Sequence, residues 1–357
     1  MSRFLIETRR GLPAYEPGSH EEGAGFVRLN TNESPYPPSE EVQRAIASEL
    51  GMLQYYNDPD CTALREALAL HCGVRAENIM AGNGSDQVLQ LAFAAFGRGR
   101  VALPEITYSY YDLFAAYYGL EIRRIPMDRA FCLREEDLYG LREMLVFPNP
   151  NAPSGRALPL PAIERVLLRN PDQVVVVDEA YVDFGAESAA GLVERFDNLL
   201  VVWTFSKSGS LAGLRLGYAI GSPELIEDLS TVRNAVDLYG VNRLAQAAGV
   251  AACQNWDYYA GNCKKIMETR AWTQKALAEL KMEVIPSLGN FVFARPTFMD
   301  AGTLKDRLEE QHILVRHFKG EKTGQYLRIT IGTQQEMEQL AQAVAAILEE
   351  QRCGQQK

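Results

Sequence analysis

The 357-residue sequence contains no apolar run near the roughly 20 residues that a membrane-spanning helix needs. It has no basic block: 36 Lys and Arg face 46 Asp and Glu, for a formal net charge of −10. That balance argues against nucleic acid or an anionic membrane surface as partner. Cysteine is sparse. Cys61, Cys72, Cys132, Cys253, Cys263 and Cys353 are scattered, with no C-x-x-C and no histidine at ligand spacing. They read as reduced thiols of a cytoplasmic protein, not as a disulfide framework or a metal site. The four histidines supply no metal cluster, and His312 and His317 have no ligand partner at usable spacing. The opening MSRFLIETRRGLPAYEPG lacks the apolar core of a signal peptide. Internal repeats and low-complexity linkers are missing as well.

What is present is a chain 47% hydrophobic, long enough for one large core and a second, smaller domain. Between about residues 39 and 220 the pattern alternates. Helical spacing at 40–50, 62–72 and 84–96 is interleaved with short apolar runs at 78–81, 101–103, 122–125, 144–147, 174–177, 199–204 and 218–220. Unbroken runs such as VVVV at 174–177 are what a mostly parallel sheet requires when helices cover both of its faces. The fold class predicted is therefore α/β. From 242 to 280 the reading is long helices, then strands near 282–285, 290–294, 313–316 and 326–331 and a closing helix at 335–349. This predicts an N-terminal arm over 1–38 that joins a small domain, a large domain over 39–250 and a small α+β domain over 251–357.

Ligands of open parallel sheets sit beyond the carboxyl ends of the strands, so polar residues there carry the function. Gly82-Asn-Gly-Ser-Asp86 stands between a strand and a helix and suits a phosphate, although a plain tight turn reads the same way. Phe147-Pro-Asn-Pro-Asn-Ala-Pro-Ser-Gly155 is a rigid turn that aims an asparagine, Asn149 or Asn151. Asp178 ends an apolar strand, where a carboxylate needs an N–H or cationic partner; a helix cap is the plainer reading. The run Leu199–Phe205 stops at Ser206-Lys207, with Arg215 eight positions on. Alone, Lys207 is best read as a surface lysine. Beside a phosphate cradle, a carboxylate for a ring nitrogen and a turn asparagine, it becomes a Schiff-base amine, and together these are the handles of pyridoxal 5′-phosphate.

The order Asn…Asp-x-x-Tyr…Ser-Lys…Arg resembles the class I/II aminotransferases of fold type I over nearly the whole chain. The spelling is similar to the histidinol-phosphate aminotransferases, at Leu29-Asn-Thr-Asn-Glu-Ser-Pro35, Tyr56-Asn-Asp-Pro-Asp60, Gly82–Asp86, Thr107-Tyr-Ser109, Asp178-Glu-Ala-Tyr181, Thr204-Phe-Ser-Lys-Ser208 with Leu211–Arg215, and Leu327–Gly332. The resemblance implies that Lys207 carries the cofactor aldehyde, Asp178 pairs with the ring nitrogen, Tyr108 stacks on the ring, and Tyr181 with Asn151 bonds the ring oxygen. It implies that Gly84, Ser85, Asp86, Ser206 and Arg215 surround the phosphate, and that Tyr56, or Tyr55, reaches the phosphate of a second subunit in a homodimer. Tyr15, Asn32, Arg316 and Arg328 would meet the substrate. In the turn the family often has asparagine where this chain has Ala152.

The activity so implied is transamination of histidinol phosphate with 2-oxoglutarate or glutamate, in histidine biosynthesis. A threonine-phosphate decarboxylase of cobalamin synthesis or an aromatic amino acid aminotransferase would use similar motifs. A dinucleotide dehydrogenase fits poorly, because Gly82–Asp86 lacks the third glycine of that fingerprint. Tyr110, Tyr111, Tyr117 and Tyr118 read as packing residues of one helix, Tyr111 with the option of flanking the site, and Trp203 reads as core.

Overall fold

The computed structural model describes residues 2–13 and 25–354. Among the described residues, twelve strands form two sheets. In chain order they are β1 (Val27–Leu29), β2 (Ile79–Gly82), β3 (Arg100–Pro104), β4 (Glu121–Ile125), β5 (Met144–Pro148), β6 (Val175–Asp178), β7 (Leu199–Thr204), β8 (Gly217–Gly221), β9 (Met282–Ile285), β10 (Phe291–Pro296), β11 (Ile313–His317) and β12 (Leu327–Thr330).

The larger sheet runs β2-β8-β7-β6-β5-β3-β4. Its β4-β3-β5-β6-β7 stretch is parallel, and β8 lies antiparallel between β7 and β2. The continuous apolar runs have the reason anticipated for them. Alternate residues of β5, β6 and β7 enter two different cores: Leu145, Phe147, Val175, Val177, Leu199 and Val201 on one face, Val146, Val176, Leu200 and Val202 on the other. Covering both faces leaves the polar residues of these strands only at their ends, which is where Asp178 stands.

The smaller sheet runs β1-β11-β12-β10-β9 and packs on helices Trp256–Glu279, Ala301–Glu310 and Gln334–Gly354 around a third core. Two of its features were not read from the sequence. The strand β1 pairs in parallel with β11. A strand of three residues is too short to show a period of two. The helix Ala301–Glu310, capped by Asp300, which accepts from the Thr303 N–H at 3.0 Å, is mostly polar on its exposed side and gives a weak apolar signal. Between β1 and helix Glu40–Glu49, residues 30–39 pass from one sheet to the other and run beside the ends of β6 and β7.

Candidate active site

The turn after β7 places Lys207, and four hydrogen bonds hold it. Thr204 Oγ1 donates to Ser206 Oγ at 2.9 Å and accepts from the Ser206 N–H at 3.1 Å. Ser208 Oγ donates to Asp183 at 2.6 Å, and the Trp203 indole N–H donates to the same carboxylate at 3.0 Å. Trp203 is thus a core residue with its one donor satisfied next to the functional loop. Lys207 Nζ donates to the Thr31 carbonyl at 3.1 Å and lies 5.9 Å from the centroid of the Tyr181 ring. Among the described residues no carboxylate forms an ion pair with the amine, and burial, then the Arg328 guanidinium, lowers its pKa to about 8. A lysine so perturbed has an appreciable free-amine fraction near neutral pH.

Asp178 ends β6 and is buried. The Tyr111 hydroxyl donates to its Oδ2 at 2.6 Å, and the Ala180 N–H donates to its Oδ1 at 3.1 Å. Burial raises the carboxyl to about 6 while those two donors restrain the rise. Tyr111 is therefore a residue of the site as well as of the core, and of the four tyrosines it is the one given the option of flanking the site. Its approach to Asp178 depends on the rotation of helix Tyr110–Tyr118 over the sheet.

The start of helix Gly84–Phe96 approaches the Lys207 loop. Gly84 has φ +79°, and a Cβ there would lie 2.8 Å from Arg215 Nη2. A Cβ on Gly217 would meet the Ser85 backbone nitrogen at 2.4 Å. Both glycines are needed for the helix end, Arg215 and β8 to sit this close. Asp86 holds Arg215 Nη2 at 2.7 Å and accepts from the Tyr108 hydroxyl at 3.0 Å. The result is a helix N-terminus packed against the Arg215 guanidinium, with Ser85 in its first turn, groups suited to a phosphate.

The turn after β5 separates its two asparagines by function. Asn149 is engaged at both ends with Leu158, donating to its carbonyl at 3.1 Å and accepting its N–H at 2.7 Å. Asn151 donates to Ser154 Oγ at 2.9 Å, and its buried Oδ1 has no partner among the described residues. Of the two, Asn151 is the one whose carbonyl oxygen accepts no hydrogen bond. Ala152 lines a cavity.

That cavity, about 940 Å³, has Tyr108, Ala152, Arg316 and Arg328 in its wall. Lys207 and Asp178 are not part of that wall. Arg316 and Arg328 are directly opposed across the antiparallel β11–β12 pair. Like charges in that register repel, and an anion between them relieves the repulsion.

Asn32, expected at the substrate, is buried behind Tyr181 and donates to the phenol oxygen at 2.9 Å. Tyr56 is 80% exposed and stacks on Tyr239, centroids 4.6 Å apart, and Tyr55 is exposed beside it. Neither tyrosine contacts the Lys207 loop of its own chain among the described contacts. Tyr15 lies outside the described residues. The structure thus brings Gly84, Ser85, Asp86, Tyr108, Asp178, Tyr181, Ser206, Lys207 and Arg215 into one region, with Asn151, Arg316 and Arg328 at its edge.

The profile of the aminotransferase class I and II family matches residues 24–344. The chain is similar to histidinol-phosphate aminotransferase 1 of Methylococcus capsulatus, 46% identical over 351 residues, covering 98% of each chain. Among solved structures it resembles histidinol-phosphate aminotransferase from Sinorhizobium meliloti in complex with pyridoxal-5′-phosphate, 26% identical with a TM-score of 0.82 over 91% of both chains. It also resembles L-threonine-O-3-phosphate decarboxylase from Porphyromonas gingivalis, 25% identical with a TM-score of 0.80 over 91% of this chain and 100% of that one.

Proposed function

We propose, because this chain belongs to the class I and II aminotransferase family, that it exchanges an amino group between histidinol phosphate and 2-oxoglutarate, with pyridoxal 5′-phosphate as cofactor, in histidine biosynthesis. The observation that carries the substrate class is the opposed Arg316–Arg328 pair on the wall of the cavity. Two guanidinium forks in register suit a phosphate or a carboxylate, the anionic groups of the two proposed substrates. The 46% identity to a histidinol-phosphate aminotransferase supports the specific choice.

The residues fit the cofactor. The cradle that glycine alone permits at Gly84 and Gly217, with Ser85, Ser206 and Arg215, would hold its phosphate. Asp86 fixes the direction of Arg215 there. Asp178 would face the ring nitrogen, Tyr108 would stack on the ring, and Tyr181 and the unpartnered end of Asn151 would face the ring oxygen. When bound, the cofactor supplies an aldehyde that condenses with primary amines and a ring that draws electrons from the substrate Cα–H bond. The protein supplies the rest. Asp178 keeps a proton on the ring nitrogen by remaining an anion beside it. Lys207 Nζ would take the Cα proton and return it to the cofactor carbon that had carried the aldehyde, as general base and then acid. Arg316 and Arg328 would orient the substrate anions.

Titrating the holoenzyme with histidinol phosphate, O-phosphothreonine and phenylalanine, while following the cofactor's visible absorbance, tests this. Histidinol phosphate should saturate the change, and 2-oxoglutarate should then yield glutamate with parallel-line two-substrate kinetics. Carbon dioxide release from O-phosphothreonine would assign the decarboxylase activity instead.

The working form is proposed to be a cytoplasmic homodimer, with the chain divided as arm 1–38, large domain 39–250 and small domain 251–357. Leu50, Met52, Leu53, Tyr55, Tyr56, Leu238 and Tyr239 are all exposed, an apolar surface that a second copy would cover. Either Tyr55 or Tyr56 would reach the phosphate of the partner. Changing each to phenylalanine identifies which: loss of a hydrogen bond to a charged group costs about 1.5–3 kcal/mol, roughly tenfold or more in cofactor retention. The expected outcome is weaker retention from one variant, near wild-type retention from the other, and an unchanged dimer by light scattering.

A further inference from the structure

Asn32 stands where three parts of the molecule meet, and its hydrogen bonds fix the direction of a proton. Its backbone N–H donates to Thr330 Oγ1 at 2.9 Å, and Thr330 Oγ1 donates to Asn32 Oδ1 at 3.1 Å. Asn290 Nδ2 donates to the Asn32 carbonyl at 3.0 Å. Asn32 Nδ2 donates to the Tyr181 hydroxyl oxygen at 2.9 Å. The residue is 1% exposed and holds a left-handed backbone, φ +55°, a region that asparagine and aspartate tolerate better than most residues.

A threonine hydroxyl has one proton. Here it goes to Asn32 Oδ1, so the amide nitrogen must face Tyr181. Turning the amide over would aim two donors at Thr330 Oγ1 and leave its proton without that acceptor. With Nδ2 facing it, the Tyr181 oxygen accepts from Asn32 and cannot give its own proton back to that group. Burial keeps the Tyr181 phenol above the ordinary tyrosine range, so the proton stays on the oxygen and must point elsewhere. The side of Tyr181 away from Asn32 is the only direction left for it.

We infer that Asn32, held by Thr330 of β12, is a positioning residue that turns the Tyr181 hydroxyl so that it donates to the ring oxygen of the bound cofactor. The inference rests on the reading that places Tyr181 at that oxygen. Asn32 would then act through Tyr181, not by touching substrate. The consequence is electrostatic: an oxygen that accepts a phenol hydrogen bond holds negative charge more easily, and the conjugated nitrogen that Lys207 contributes loses its proton at lower pH.

The test is the pH midpoint of the visible absorbance change of the holoenzyme, which needs no turnover. Tyr181→Phe removes the donor and should raise the midpoint by about one unit or more. Asn32→Asp keeps size and backbone preference but replaces the donor with an acceptor that takes the Tyr181 proton; its midpoint should rise as in Tyr181→Phe. Thr330→Val removes the hydroxyl that fixes the amide and should produce a smaller rise, and it serves if Asn32→Asp fails to fold. If Tyr181→Phe raises the midpoint while Asn32→Asp and Thr330→Val leave it at the wild-type value, the inference is overturned and the placement of Tyr181 stands. If Tyr181→Phe also leaves it unchanged, that placement fails and the inference fails with it.

Discussion

Replacing Lys207 with alanine should give a folded protein that has lost the visible absorbance of bound cofactor and at least about 10⁴-fold in turnover, since positioned proton transfer alone contributes about 10²–10⁴. Folding should be preserved because the amine is not part of a structural ion pair. Among the described residues its hydrogen bond is to the Thr31 carbonyl, and its enclosure already disfavours the charged form. Lys207→Arg separates charge from chemistry, because a guanidinium stays protonated and cannot act as the amine or as the base. It should be as inactive as the alanine variant. The depressed pKa adds a pH dependence with a definite sign. Only the neutral amine attacks an aldehyde, so the rate at which cofactor-free protein takes up pyridoxal phosphate should rise with pH up to about 8 and level off above it. Below that value it should fall about tenfold per unit. Stopped-flow absorbance on the stripped protein reads this directly. A Lys207→Ala variant with wild-type turnover would sink the assignment.

Lys207 was legible in the sequence only through its company. A strand that stops at Ser-Lys is ordinary; the same strand in a chain that also carries Asp178, the Pro/Asn turn and the Gly82–Asp86 loop is not. These elements could be read because each lies at the end of a continuous apolar run, and such runs are imposed by covering a parallel sheet on both faces. What stayed hidden depends on rotation and long-range pairing. Tyr111 bonds Asp178 because of how helix Tyr110–Tyr118 is turned on the sheet, so the sequence offered it as a flanking residue but not its carboxylate partner. Asp183, Ser208 and Trp203 form an anchor for the Lys207 loop from two strand ends, and nothing in their spacing announces it. The Thr31 carbonyl reaches Lys207, and Thr330 orients Asn32, through a sheet-to-sheet crossing separated by 176 and 298 positions in the chain. Contacts at such separations leave no periodic trace. The exposed Tyr55 and Tyr56 show the complementary limit, because a surface that a second copy would cover looks, in one chain, like excess apolar residues.

Changing Asp178 to asparagine should reduce turnover by about 10²–10⁴ while leaving cofactor bound and the protein folded. The substitution is nearly isosteric, and Tyr111 can still donate to the remaining oxygen, so the buried network loses little. What it loses is the negative charge that keeps a proton on the ring nitrogen, and without that proton the ring is a weaker acceptor of the Cα–H electrons. Asp178 is suited to the task because burial raises its pKa only to about 6, Tyr111 and the Ala180 N–H holding back the rise. It is therefore mostly an anion at neutral pH, before any cation sits beside it. Two consequences follow for the wild type. Acidification through about 6 should protonate the carboxylate of the cofactor-free protein, and a protonated ring nitrogen beside Asp178 should move that titration lower still, because an opposite charge favours the anion. Tyr111→Phe should move it upward by removing the donor at 2.6 Å. The decisive measurement uses a cofactor analogue methylated on the ring nitrogen, which carries a fixed positive charge. It should restore a large part of the activity of Asp178→Asn and give little benefit to Lys207→Ala. Rescue of neither variant, with tight binding of the analogue in both, would show that Asp178 does not act through the charge of the ring nitrogen.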